Sequence, residues 1–210
     1  MISEAMIFAA GLGKRMYPLS IKIPKPLLKI NRKSLLSNNI DKLIESKVKN
    51  IVVNAYKHPN QILKETRNYS ENVTVIKEKN RLETGGGFLN AIKQNLFQTN
   101  NPVILINGDI FWINKYYNSI NIIRKLWNPE KMDMLLSLKR KEDLFGYGGN
   151  GDFDFYSSKT RLLELKKKPN SPLVFTGLQI VKQEVVLKKK KFFFSIKEKI
   201  IDSGKKRRLY

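Results

Sequence analysis

Two periods of hydrophobic position alternate along the first two thirds of this chain. Residues 4–10, EAMIFAA, are a short apolar run and predict a buried strand. Residues 34–48 place Leu36, Ile40, Leu43 and Ile44 on one helical face. NIVVNAY (50–56) predicts a second strand, and 59–68 a helix with proline in its first turn. NVTVI (72–76) is rich in β-branched residues and predicts a third strand. Residues 87–97 return to helical spacing through Phe88, Ile92 and Leu96. PVILING (102–108) is a nearly unbroken apolar run, the mark of a strand buried on both faces. A helix over 114–127, with Tyr116, Ile120, Ile123 and Trp127 in register, and a strand over 132–138 complete the series. Strand and helix thus alternate from residue 4 to about 138, which implies α/β architecture with a mostly parallel sheet covered by helices.

Beyond residue 138 the texture changes. LFGYGGNGDFDFYSSKTRLLEL is turn-rich and predicts hairpin strands. Residues 172–181 read as a strand returning to the sheet, and 192–203 as a helix with Phe192, Ile196 and Ile200 on one side. The chain of 210 residues suits a single domain, 1–210, with a first half over 1–138 and a second over 139–210.

Composition narrows the chemistry. With no cysteine, a disulfide scaffold, a cysteine zinc site and a thiol nucleophile are excluded. No apolar run approaches the ~20 residues that span a bilayer. AMIFAAGL is too short for a signal peptide, and Glu4 stands where a basic segment would be. A cytoplasmic protein without a membrane partner is expected. The formal charge of +22 admits a polyanion partner. Its lysines are scattered, however, and not interleaved with aromatics as in nucleic-acid-binding stripes. Abundant Asn, Ile and Phe beside them are what an AT-rich coding sequence produces, so no specific nucleic acid is expected.

Candidate chemistry sits where predicted strands end. In open α/β sheets, ligands bind beyond the carboxyl ends of the strands. The first such loop is GLGKRMYPLSIKIPKP (11–26). Its glycines can turn backbone N–H groups toward an anion. Arg15 suits bidentate phosphate contact, and Lys25 supplies a point charge. Prolines on both sides of Lys25 predict an extended, stiff backbone that aims it in advance. Neither G-x-x-x-x-G-K-[ST] nor G-x-G-x-x-G fits the loop. LETGGG (82–87) precedes the helix expected near Phe88 and can offer backbone donors. NGDIFW (107–112) puts Asp109 at a strand end, well placed for Mg²⁺. His58, the single histidine, reads as a loop residue.

Taken together, AMIFAAGLGKRMYPLSIKIPKPLLKI resembles the signature of the sugar-1-phosphate nucleotidyltransferases, A-A-G-x-G-x-R-x-x-P followed by P-K-P-L. The matching positions are Ala9, Ala10, Gly11, Gly13, Arg15, Pro18, Pro24, Lys25, Pro26 and Leu27. LETGGG resembles the subgroup of N-acetylmuramate-1-phosphate uridylyltransferases and mannose-1-phosphate guanylyltransferases. The resemblance implies a Rossmann-like three-layer fold with a small β-rich sugar-binding insertion. It implies a nucleotide-binding half (1–138) and a sugar-phosphate-binding half (139–210). It implies transfer of a nucleotidyl group from UTP or GTP to a sugar 1-phosphate, for cell-wall or surface-glycan synthesis, with Mg²⁺ as cofactor. By resemblance Arg15 and Lys25 are catalytic and Asp109 holds the metal. Ala10, Gly11, Gly13, Thr84, Gly85, Gly86 and Asn107 contact the nucleotide. Thr176, Gly177 and, by a looser match in LKKKP (165–169), Lys168 contact the sugar phosphate.

The family pattern continues into W-x-D-x-G-T-P, whose Asp is a second magnesium ligand. That motif does not follow here, and Asp202 falls in a predicted helix. A truncated or frameshifted product is therefore expected, either inactive or with a metal shell completed by phosphates and water. A non-catalytic sugar-nucleotide sensor and a charge-driven RNA-binding protein are the competing readings. Oligomeric state is left open.

Overall fold

The computed structural model describes residues 2–157, 160–164 and 170–210, with side chains described outside 155–164. In chain order the elements are β1 (Glu4–Phe8), α1 (Leu19–Lys22), β2 (Lys29–Ile30), β3 (Lys33–Ser34), α2 (Leu35–Glu45) and β4 (Asn50–Ala55). Next come α3 (Pro59–Thr66), β5 (Val73–Lys77), α4 (Glu83–Lys93), β6 (Val103–Asn107), α5 (Ser119–Leu126) and β7 (Met134–Arg140). The chain continues with β8 (Asp154–Ser157), β9 (Thr160–Glu164), β10 (Leu173–Val181), α6 (Glu184–Leu187) and α7 (Ile196–Lys205).

Six strands form one sheet in the order β5-β4-β1-β6-β10-β7. The pairs β5-β4, β4-β1 and β1-β6 are parallel, and β10 runs antiparallel between β6 and β7. Alternation along β1 sends Met6 and Phe8 to one face and Ala5 and Ile7 to the other. The first face is covered by Phe88 and Leu89 of α4 and by Ile196 and Ile200 of α7. The second is covered by Leu36, Ile40 and Leu43 of α2, Ile62 of α3, and Ile120 and Ile123 of α5. Helix, sheet and helix thus make the three expected layers. Strands β8 and β9 form their own hairpin, joined to the sheet through a bridge between Phe153 and Leu173.

Several boundaries differ from the sequence expectation, each for a local reason. Helix α4 starts at Glu83, so the three glycines lie inside its first turns instead of ahead of them. Helix α5 starts at Ser119, because Asn118 caps it by accepting from the Asn121 amide (3.0 Å). Tyr116 therefore lies on an exposed loop and not on a helix. Helix α7 starts at Ile196 behind the cap Ser195, leaving Phe192 in the preceding segment. The small hairpin β2–β3 and the single-turn α6 are additions. Asn31 and Arg32, both at positive φ, make the turn of that hairpin. Among the described residues no helix is long and apolar enough to cross a membrane.

Candidate active site

Strand β1 sits at the point where the order of the sheet reverses. The chain passes from β1 outward to β4 and β5, then returns to β6 on the other side. The carboxyl ends of β1 and β6 therefore flank a crevice of the kind that receives ligands in open α/β sheets.

The crevice is built by close backbone approach. Gly108, just after β6, donates its N–H to the Phe8 carbonyl at 2.9 Å. A Cβ there would stand 2.6 Å from that oxygen and 3.2 Å from Pro26 Cγ. Only glycine lets the β6 loop close against both β1 and the proline segment. The closure brings Lys25 Nζ to 2.6 Å from Asp109 Oδ2, across 84 positions of sequence. Lys25 opens a 3-10 turn over Lys25–Leu27, with Leu28 N–H bonding back to the Lys25 carbonyl (3.1 Å). This corrects the extended backbone expected from the flanking prolines: Pro24 is extended, and the chain turns tightly at Lys25 itself.

At the other end of the loop, Gly13 has φ +63 and accepts from the Ser20 hydroxyl at 2.7 Å. That backbone conformation favours glycine. A 3-10 turn over Lys14–Met16 follows and carries Arg15 into solvent. An added Cβ at Gly11 would meet nothing within 4 Å, so this glycine borders open cleft.

A buried polar chain ties the walls together. The Ala9 amide donates to Asn54 Oδ1 (3.0 Å), Asn54 Nδ2 donates to Glu78 Oε1 (2.7 Å), and the Leu82 amide donates to Glu78 Oε2 (3.3 Å). The glycine loop, β4 and the start of α4 are thereby linked. Burial pushes the Glu78 carboxyl above its ordinary value, with the Asn54 and Leu82 bonds opposing the shift.

The resulting cleft encloses about 410 Å³. It gathers Gly11, Gly13, Arg15, Lys25, Thr84, Asn107 and Asp109 of the residues expected from sequence, and adds Lys14 and Arg81. Four cations and one carboxylate thus line the cleft, Lys25 pairing with Asp109 and Arg81 with Glu83 outside the lining, an environment suited to a polyanion. Ala10 is half-buried beside the cleft without lining it. Gly85 and Gly86 are buried inside α4, where segment 192–196 crosses them. Gly86 N–H donates to the Phe194 carbonyl (3.0 Å), and Thr84 Oγ1 accepts from the Ile196 amide (3.0 Å). A second chamber of about 300 Å³ adjoins the cleft through Thr84 and Asn107 and is lined also by Asp152, Phe153, Phe175 and Lys197.

The sugar-side candidates are arranged differently from one another. Gly177, at φ +87, packs so closely that an added Cβ would stand 3.0 Å from Asn107 Nδ2. Thr176 Oγ1 donates to the Ser137 carbonyl of β7 (2.9 Å), next to a register irregularity between Phe175 and Gln179. Lys168 lies outside the described residues. His58 is a loop residue as expected, and its ring contacts the Ile21 carbonyl (3.0 Å). Asp202 lies in α7 and pairs with Lys199 at 2.9 Å.

Sequence reasoning missed Asn54, Glu78, Lys14, Arg81, Asp152 and Lys197. The one available signal was Asn54, a polar residue interrupting the apolar run of β4.

A mostly parallel α/β sheet with a cationic, glycine-bordered cleft at its reversal point defines a class of phosphate-ligand proteins. The sequence profile of the nucleotidyl transferase family matches residues 4–205, and the chain belongs to that family, among the sugar-1-phosphate nucleotidyltransferases. It is 30% identical over 188 residues to the N-acetylmuramate alpha-1-phosphate uridylyltransferase of Caulobacter vibrioides, covering 86% of this chain and 76% of that protein. It is 30% identical over 150 residues to the D-glycero-alpha-D-manno-heptose 1-phosphate guanylyltransferase of Campylobacter jejuni, covering 69% of this chain and 61% of the relative. In fold it resembles HddC from Yersinia pseudotuberculosis, solved in complex with GMP-PN. The TM-score is 0.72 at 23% identity, over 93% of this chain and 83% of that one.

Proposed function

We propose that the protein transfers a nucleotidyl group from UTP or GTP to a sugar 1-phosphate, giving a nucleotide sugar and pyrophosphate. The observation that carries this reading is the Lys25–Asp109 pair at 2.6 Å, set in a cleft with Arg15, Gly11 and Gly13 at the reversal point of the sheet. A sugar-phosphate oxygen attacks the α-phosphorus of the triphosphate, the bond to the bridging oxygen breaks, and pyrophosphate leaves. The attacking phosphate is already ionised near neutral pH, so no general base is required. Positioning and charge stabilisation carry the catalysis.

In this reading the backbone around Ala10, Gly11 and Gly13 cradles the triphosphate. Arg15 and Lys25 stabilise charge as it moves toward the leaving pyrophosphate. Thr84 and Asn107 stand at the boundary between nucleotide and sugar. Gly85 and Gly86 serve the nucleotide side through α4, by letting segment 192–196 seat against it and hold Thr84. Gly177 sets Asn107, and Thr176 belongs to the sugar side with Lys168.

The donor set fits Mg²⁺ in one specific way. Among the described residues no group of three or more His, Cys, Asp or Glu side chains could form a protein cage. Asp109 is the one carboxylate among the described residues that line the cleft, and Mg²⁺ commonly takes one or two carboxylates together with substrate phosphates and water. Such an ion, when bound, neutralises phosphate charge. Lys25 remains beside Asp109 and keeps that carboxylate oriented.

The proposed setting is cytoplasmic synthesis of cell-wall or surface-glycan precursors. Pyrophosphate release from purified protein tests the reaction, and loss of release in Lys25→Ala tests the site.

A further inference from the structure

The second chamber is lined by two charged side chains, Asp152 and Lys197. Asp152 Oδ2 accepts the Phe175 amide at 3.0 Å, which fixes the carboxylate in the wall. Lys197 makes no ion pair among the described residues. Nearby cations do: Lys199 pairs with Asp202 at 2.9 Å and Lys189 with Glu198 at 2.7 Å. The rest of the wall is largely apolar, with Phe153, Phe175 and Ile200. The two chambers share Thr84 and Asn107, so one ligand can extend through both.

We propose that this chamber receives the acceptor sugar and that Lys197 selects sugar 1-phosphates bearing a carboxylate. This rests on the nucleotidyl-transfer reading. Lys14, Arg15, Lys25 and Arg81 all line the first chamber, which already supplies cations for the phosphates. With the reacting phosphate held there, the ring passes between Thr84 and Asn107. Groups remote from the anomeric carbon then face Lys197. A carboxylate on the sugar pairs with the ammonium, whereas a neutral sugar leaves it without a partner. The Asp152 carboxylate accepts from a ring hydroxyl or an amide N–H. The apolar wall takes a C–H face of the ring or an acyl methyl group. The carboxylate could be carried on an ether-linked acid or at the end of the ring's exocyclic carbon, and both present the same charge.

The test uses two matched pairs of acceptors: N-acetylmuramate 1-phosphate against N-acetylglucosamine 1-phosphate, and glucuronate 1-phosphate against glucose 1-phosphate. The ratio of kcat/KM, acidic over neutral, is measured for the wild type, Lys197→Gln and Lys197→Arg. The wild type should favour the acidic member of at least one pair by about tenfold or more, as expected for a charge-assisted hydrogen bond. Lys197→Gln should bring that ratio close to one, and Lys197→Arg should restore most of it. Calorimetric titration of the same sugar phosphates reads the ratio without turnover. A protein that releases no pyrophosphate yet prefers the acidic sugar through Lys197 would support the chamber and sink the transfer reading. Turnover with neutral sugars favoured, or a ratio unchanged in Lys197→Gln, would overturn the chamber assignment and leave transfer standing. Absence of both turnover and binding for the acidic sugars would also overturn it.

Discussion

Replacing Gly86 with alanine sets two physical rules against each other. In an exposed helix interior, glycine to alanine stabilises by about 1 kcal/mol. Gly86 lies inside α4, where an added Cβ would stand 1.5 Å from the Phe192 carbonyl oxygen. Real Cβ atoms essentially never approach within 3.0 Å, so segment 192–194 must retreat by at least about 1.5 Å (3.0 − 1.5). The obstacle is backbone, and no rotamer change relieves it. The retreat strains three hydrogen bonds: Gly86 to Phe194 at 3.0 Å, Phe194 to Leu82 at 3.3 Å, and Ile196 to Thr84 at 3.0 Å. Each is worth about 1 kcal/mol net. Phe194, 5% exposed, also loses part of a burial worth roughly 1.5–3 kcal/mol. Set against the helix-propensity gain, the net loss is about 2–4 kcal/mol. For a chain of this length that lowers Tm by on the order of 10 °C. Urea unfolding followed by circular dichroism measures it, with Gly148→Ala as the control. Gly148 has open space where its Cβ would stand and should change by less than about 0.5 kcal/mol. A Gly86→Ala protein as stable as the wild type, or more so, would refute the argument.

Lys25→Ala and Asp109→Ala should each reduce pyrophosphate release by at least ~100-fold. Because their ion pair is partly exposed, unfolding free energy should change by no more than about 1 kcal/mol, and unaltered turnover would remove that residue from the site. Gly177→Ala forces a side chain to φ +87 beside Asn107 and should cost about 1–3 kcal/mol, read by thermal unfolding. Glu78 gives a pH signature. Its folded pKa lies above the ordinary value of 4.5, so the folded state holds the proton more tightly than the unfolded state. The stability it contributes is present below about pH 4.5 and lost as pH rises through the folded value. The stability of the wild type minus that of Glu78→Gln should therefore fall as pH rises from 4 toward neutrality, and a value that rises would contradict the assignment.

The strands are legible in the sequence because burial on both faces leaves unbroken apolar runs, as in β1 and β6. Helix starts are less legible because side-chain caps decide them: Asn118 and Ser195 each hold back a helix that hydrophobic spacing alone would begin earlier. The glycines of α4 read as a loop because their propensity is poor, while the segment packed on them, more than 100 residues later, requires the missing Cβ atoms. Lys25 and Asp109 are each visible as motif members, yet their contact depends on Gly108 closing two strand ends together. Asn54 and Glu78 carry no motif of their own, and only the folded chain shows them linking the glycine loop, β4 and the start of α4. Lys197 stays hidden because its relevance comes from where the first turn of α7 borders the second chamber.

Pyrophosphate release from the purified protein with Mg²⁺ is the decisive measurement of nucleotidyl transfer. UTP, GTP, CTP and dTTP would be crossed against N-acetylmuramate 1-phosphate, mannose 1-phosphate and glucose 1-phosphate. Release is expected with UTP or GTP and at least one sugar 1-phosphate, and is abolished in Lys25→Ala. Nucleotide binding without release for any pair would contradict it and favour a sensor on the same fold.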